Sequence, residues 1–199
     1  MGFALYEDDL NQYKAAFAVD TQKRSLQDAL DEADVFLGVS TADLLTPDML
    51  ELMAPKPIIF ALANPDPEIR PELAHNIRDD LIIATGRSDY PNQVNNVLGF
   101  PFIFRGALDV RAKCINEEMK IAAVHAICEL AKEQVPKEVM DAYGGQVLAY
   151  DRDYIIPKPM DARLLGVVSS AVARAAVETN VATIPYPSHY PLRTPEDIR

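Results

Sequence analysis

Three short unbroken apolar runs constrain the fold of this chain more than anything else in it. They are Asp34-Val35-Phe36-Leu37-Gly38-Val39-Ser40, Pro57-Ile58-Ile59-Phe60-Ala61-Leu62-Ala63 and Leu81-Ile82-Ile83-Ala84-Thr85-Gly86. Each is continuously apolar rather than alternating, the pattern of a strand covered on both faces in a parallel sheet. Successive runs start about 23 residues apart, which leaves room for one short crossover helix between neighbours. The first gap holds Thr46-Pro47-Asp48, a good N-cap, a proline suited to the first helical position and an acid at the positive end of the helix dipole. The second gap holds a short helical candidate from Pro71 to Asn76. Ser25 to Leu30 reads as a helix entering the first run, which is the first clear strand. A β-α-β-α-β unit with right-handed connections follows. The expected fold class is α/β, an incomplete Rossmann-like doubly wound parallel sheet with flanking and C-terminal helices.

The second half changes character. Phe100 to Cys114 is apolar with few breakers and reads as a buried helix, despite Pro101 near its start. Asn116 is an N-cap for a helix whose apolar positions Met119, Ala122, Ala123, Ile127 and Leu130 recur at helical spacing. Pro136 to Tyr143 reads as a short helix ended by Gly144-Gly145. A last long helix runs from Ala162 to Thr179. The stretch Ile184 to Arg199 carries Pro185, Pro187, Pro191 and Pro195 and reads as a linker or surface strap. The domain division expected is 1–183 for a partial nucleotide-binding domain and 184–199 for the Pro-rich tail.

The net charge of -11 argues against a nucleic-acid partner and against adhesion to an anionic membrane. No apolar run approaches the roughly 20 residues of a membrane span. Met1 to Leu10 carries Glu7, Asp8 and Asp9 and no basic region, so it does not read as a secretory signal. The two cysteines, Cys114 and Cys128, lack metal-ligand spacing and read as reduced thiols of a cytoplasmic protein.

Ligands of open parallel sheets bind at the carboxyl ends of the strands. Those ends are Gly38-Val39-Ser40, Asn64-Pro65-Asp66-Pro67 and Thr85-Gly86-Arg87-Ser88, each polar or Gly-containing directly after an apolar run. Gly38 would let a ligand approach the backbone, and Ser40 could donate to a phosphate or ribose hydroxyl; equally, Ser40 and Thr41 are ordinary turn residues. The Asn64 carboxamide could hold a ligand carbonyl or hydroxyl, or form an Asx-turn ahead of Pro65. Of Asn95 and Asn96, at a loop-to-helix junction, one can cap the helix while the other faces a ligand. Arg87 could bind an anion or pair internally with Asp89. His125 falls within a helix and reads as structural, and surface exposure is the default for Lys158. The glycines form no G-x-G-x-x-G, so the βα unit that carries a dinucleotide's pyrophosphate is not visible. The simplest expectation is a piece of a longer protein.

The stretch Ala84-Thr85-Gly86-Arg87-Ser88-Asp89-Tyr90-Pro91-Asn92-Gln93-Val94-Asn95-Asn96 is dense in hydrogen-bonding side chains between apolar neighbours, as in a pocket that orients a small polar ligand. It resembles a motif of malic enzymes, in particular the cofactor-binding domain of the large bacterial NADP-dependent type. Asp34 to Ser40, Ala61 to Pro65, Phe100 to Asp109, Asn116 to Lys120 and Tyr154 to Pro159 carry the same resemblance, which extends from about Leu10 to Pro185. It implies oxidative decarboxylation of L-malate to pyruvate and CO2, with hydride passing to NADP (NAD stays open), and a Mg or Mn ion polarising the substrate. It implies that Gly38, Val39 and Ser40 line the dinucleotide, that Asn64 contacts nicotinamide and malate, and that Asn95 and Asn96 hold malate and nicotinamide. The family's tyrosine–lysine acid–base pair, acidic metal ligands and Gly-rich turn have no counterpart here, so no catalytic or metal residue is assigned and the isolated chain is expected to be inactive. In large bacterial members a phosphotransacetylase-like domain follows. A homo-oligomer, such as a dimer, goes with the family. The alternatives are a non-catalytic oligomerisation or interaction module built on the apolar helices, and an amino-acid-dehydrogenase-like domain, which the 84–96 stretch disfavours.

Overall fold

Parallel pairing of three strands organises the first half of the molecule. The computed structural model describes Phe3–Ala4 and residues 12–190, and the chain divides into two compact units, one up to Pro91 and one from Asn92. The first unit opens with a two-residue parallel pair, β1 (Phe3–Ala4) with β2 (Ala18–Val19), around a short α1 (Gln12–Ala15). This pair precedes what the sequence marks as its first strand; two residues are too few to leave a pattern.

The main sheet has the order β3 (Val35–Gly38), β4 (Ile58–Ala61), β5 (Ile82–Thr85), all parallel. Its helices start where local chemistry says they should. Ser25 caps α2 (Leu26–Leu30) in a reciprocal capping box with Asp28. Thr46 caps α3 (Pro47–Glu51), with Pro47 in the first turn where a missing N–H costs nothing. Pro71 opens α4 (Pro71–Ile77). Register sets Phe36, Ile59 and Ile83 in one row across the sheet. That row forms a core with Leu30 of α2, Leu50 of α3 and Ala74 of α4, so all three helices lie on one face.

On the other face strand β3 departs from the expectation of strands covered on both sides: Val35 and Leu37 are more than half exposed, whereas Ala84 of β5, in the same row as Leu37, is buried. An unbroken apolar run therefore does not by itself report two-sided burial. Strand β3 is also the edge of its sheet.

The second unit is helical. A 3-10 turn (Asn96–Leu98) leads into α5 (Phe100–Asp109), followed by α6 (Glu117–Lys132), α7 (Lys137–Ala142) and α8 (Arg163–Glu178). Asn116 caps α6 by accepting the Met119 N–H at 3.0 Å. Gly144 and Gly145, at φ of 75° and 76°, end α7 in the left-handed region that side chains avoid. Helix α8 buries Leu164, Val168, Val172 and Ala176, an i, i+4 stripe, against Met119, Ala123 and Leu130 of α6 and Ala107 of α5.

Two expectations change here. The helix expected from Phe100 to Cys114 stops at Asp109, and it is not buried all round. Phe100, Phe104 and Leu108 form an exposed i, i+4, i+8 stripe opposite the buried Gly106. Continuous apolarity hid this amphipathicity. The Pro-rich tail is also more than a surface strap over its described part: Tyr190 is buried in the helical core, with Tyr186 packed against it, and its hydroxyl donates to Asp109. Residues 191–199 lie outside the described residues.

Ser169, on the buried face of α8, has a hydroxyl with no hydrogen-bond partner. A buried orphan donor is destabilising, and serine is also the weaker helix former. Ser169→Ala is expected to raise stability by about 1 kcal/mol. A thermal melt that moves down, or not at all, contradicts this.

Candidate functional site

The carboxyl ends of the three strands stand side by side, because the register pairs Gly38 with Ala61 and Ala61 with Thr85. Val39, Ser40 and Asn64 are exposed at this end of the sheet, so the sequence-derived candidates of the first unit do come together. The Asn64–Pro65 peptide bond is cis.

At Gly38 a further role is visible, since a Cβ there would lie 2.4 Å from the carboxyl group of Glu68. The space belongs to a protein side chain. Glu68 is fully buried. Its Oε1 accepts the Ser40 N–H at 2.9 Å and its Oε2 the Ala63 N–H at 3.0 Å. Sequence reading missed this residue. Following Pro65-Asp66-Pro67 it has the context of an ordinary loop acid, and its partners lie 28 and 5 residues away.

Arg87 was open between anion binding and internal pairing. The structure shows pairing: its guanidinium donates to both oxygens of Asp89 at 2.9 and 2.7 Å and to Asp66 at 3.4 Å. The pairing strengthens the guanidinium's hold on its proton and keeps the Asp89 carboxyl below the usual carboxylate range. The ring of Tyr90 lies 5.3 Å from the guanidinium carbon. The Tyr90 hydroxyl donates to the Glu72 carboxylate at 2.9 Å, which pushes its own titration upward. The β4 and β5 end loops are thus tied by charge.

The second unit holds the remaining candidates. Asn95 is the N-cap of the 3-10 turn, its Oδ1 accepting the Val97 N–H at 3.0 Å, while Asn96 begins the turn and is exposed. Asn92 is buried, donating to the Arg152 carbonyl at 2.6 Å and accepting the Ile155 N–H at 2.9 Å. Much of the polar density in 84–96 therefore serves internal bonding: Thr85 accepts the Arg87 N–H, Arg87 holds Asp89, Asn92 locks a loop and Asn95 caps a turn. A polar stretch between apolar neighbours can be a folding device as readily as a pocket lining.

Lys158 departs from its expected surface position. It is half-buried, 5.5 Å from the Tyr143 ring, and burial pushes its ammonium below the ordinary lysine value. His75, His125 and His189 are exposed, so the structural role expected for His125 is not a core one. Cys114 and Cys128 are free and exposed. Among the described residues, no three His, Cys, Asp or Glu side chains gather to hold a metal ion, and no helix is long and apolar enough to cross a membrane.

A family model described as "Malic enzyme, NAD binding domain" matches residues 3–141. The "NADP-dependent malic enzyme" of Halomonas elongata is 62% identical over 191 residues, covering 96% of this chain and 45% of that protein. The Escherichia coli protein of the same name is 58% identical over 180 residues, covering 90% of this chain and 24% of that one. Among solved structures, Entamoeba histolytica malic enzyme superposes with a TM-score of 0.73 at 34% identity, over 86% of this chain and 33% of that one. The chain thus spans less than half the length of these relatives. With a parallel sheet whose carboxyl ends carry the polar residues, and a family match over most of its length, the chain belongs to the malic enzyme NAD-binding domain family.

Proposed function

We propose that this chain forms part of the nucleotide site of an NADP-dependent malic enzyme, a protein that oxidatively decarboxylates L-malate to pyruvate and CO2. The observation that carries this reading is the single rim made by the ends of three parallel strands, with Val39, Ser40 and Asn64 exposed on it. Such a rim fits a dinucleotide. A hydroxyl and a carboxamide offer both donors and acceptors to ribose and carboxamide groups, and neither needs to change protonation state. When bound, the cofactor supplies the hydride acceptor. Ser40 and Asn64 bind and orient it, and Asn64 also faces malate. Asn95 and Asn96 are the further substrate and nicotinamide contacts. Gly38 lines the dinucleotide with its backbone and also makes room for Glu68. NADP is preferred to NAD because the relatives named above are NADP-dependent, although the family description says NAD. The described residues do not provide a ligand set for Mg or Mn, so no step is assigned to a metal here. Two unpaired thiols suit a cytoplasmic location.

A second reading, self-association through an apolar surface, is favoured by the exposed stripe of Phe100, Phe104 and Leu108. One pair of measurements separates the two. Isothermal titration with NADP+ is expected to give binding with a dissociation constant below about 1 mM, and incubation with malate, NADP+ and Mn2+ to give no NADPH. Absent NADP+ binding together with a stable dimer in light scattering favours the second reading. Clear NADPH production overturns the assignment of proton transfer to groups outside this chain.

A further inference from the structure

Glu68 is a carboxyl group withdrawn from water beside the candidate contacts Ser40 and Asn64. A buried carboxylate persists only where donors replace its hydration. Here both donors are backbone N–H groups, one after β3 and one after β4. The Ser40 N–H belongs to a candidate contact residue itself, and the Ala63 N–H directly precedes Asn64. The backbone adds to the tie. The Asp43 N–H donates to the Pro67 carbonyl at 3.2 Å and the Leu45 N–H to the Glu68 carbonyl at 2.9 Å. Gly38 completes the arrangement, because any side chain there would drive the carboxyl group off both amides.

We propose that Glu68 is a positioning residue, which bridges the loops after β3 and β4 and holds Ser40 and Asn64 at a fixed separation for the cofactor. The inference rests on the cofactor reading above. A preformed rim does not have to be ordered at the moment of binding, and that saving appears as affinity. A carboxylate is the required group, because it has two acceptor oxygens and no donor. A carboxamide of the same size would satisfy one amide and turn its own N–H2 toward the other.

The test uses the full chain with NADP+ as the probe. Glu68→Gln keeps shape and volume and is expected to fold, with NADP+ affinity reduced about tenfold, the size of one charge-assisted hydrogen bond. Gly38→Ala displaces the carboxylate from the other side and is expected to weaken binding by a similar factor. The double variant is expected to lose no more than the worse single one, since both act through the same bridge. A residue that merely stabilises the fold would give additive losses instead. Amide hydrogen exchange at Ser40 and Ala63, slow in the native chain, is expected to speed up in both variants, with the other strand amides unchanged. If native chain and Glu68→Gln bind NADP+ equally well, or the two losses add, this inference is overturned while the cofactor reading stands. If the native chain does not bind NADP+ at all, both are overturned.

Discussion

Replacing Gly106 with alanine is expected to destabilise the helical unit by about 2 kcal/mol, lowering its unfolding midpoint by roughly 9 °C. Intrinsic propensity points the other way, because alanine is favoured over glycine inside a helix by about 1 kcal/mol. The neighbours decide the sign. A Cβ at position 106 would stand 2.4 Å from the Ser169 carbonyl oxygen, 2.9 Å from the Val172 Cβ and 3.1 Å from the Ala173 N. Two of those atoms are backbone of α8, which cannot turn aside as the end of a flexible side chain can. Helices α5 and α8 would have to separate, opening the core around Val172 and Ala173, both fully buried. Overpacking of this kind typically costs about 1–3 kcal/mol and occasionally more, and contact with backbone places this case at the upper end. Calorimetry on the native chain and on Gly106→Ala decides the matter. An unchanged or raised midpoint would mean that the two helices are not in the close contact described.

Sequence patterns revealed what depends on near neighbours. Thr46 and Asn116 announced their helices because a cap and its amide lie within three residues. The three strands were visible because apolar runs of that length, separated by helix-sized gaps, have few other uses. The ends of those strands located the rim, and Ser40 and Asn64 sit on it. What escaped was every feature in which one residue makes sense only through a distant one. Nothing local shows that the carboxyl group of Glu68 packs against Gly38, and no local signal marks Gly106 as the close contact with α8 that it is. Arg87 is the exception among the open questions: it pairs with its near neighbour Asp89, and sequence alone left that pairing balanced against anion binding. Burial failed for a different reason: an apolar residue states what it can tolerate, not what covers it, and Leu37 and Leu108 are both largely exposed.

The opposite end of the sheet carries the second large effect. Arg78 follows α4 and directs its guanidinium at the amino-terminal side of the strands. It donates to the Leu50, Met53 and Ala54 carbonyls at 3.1, 3.2 and 3.1 Å, and to both Asp80 oxygens at 2.7 and 2.9 Å. Asp80 in turn accepts the Lys56 N–H at 2.7 Å. One side chain therefore closes the carboxyl end of α3, fixes the turn into β4 and anchors the entry to β5. Arg78→Ala is expected to destabilise the first unit by about 3 kcal/mol, because it strands three partly buried carbonyls and leaves Asp80 without its charge partner. Lysine at this position is expected to restore little, since an ammonium cannot supply the planar fork that reaches a carboxylate and three carbonyls at once. The pH dependence gives a second signature. The Arg78 hydrogen bonds, and after them the Lys56 N–H, hold the Asp80 carboxyl well below the usual carboxylate range. A carboxyl group whose titration is depressed on folding contributes stability that is complete above its unfolded value near 4 and drains away as the pH falls below it. Denaturant titrations at pH 7 and at pH 3 are therefore expected to show a loss on acidification in the native chain that is smaller in Arg78→Ala. Equal acid sensitivity in the two proteins would place the acid-labile groups elsewhere. The carboxyl end of the sheet is untouched by this substitution, so any fraction of Arg78→Ala that remains folded is expected to bind NADP+ as the native chain does, which separates the clamp that stabilises the unit from the bridge that shapes its rim.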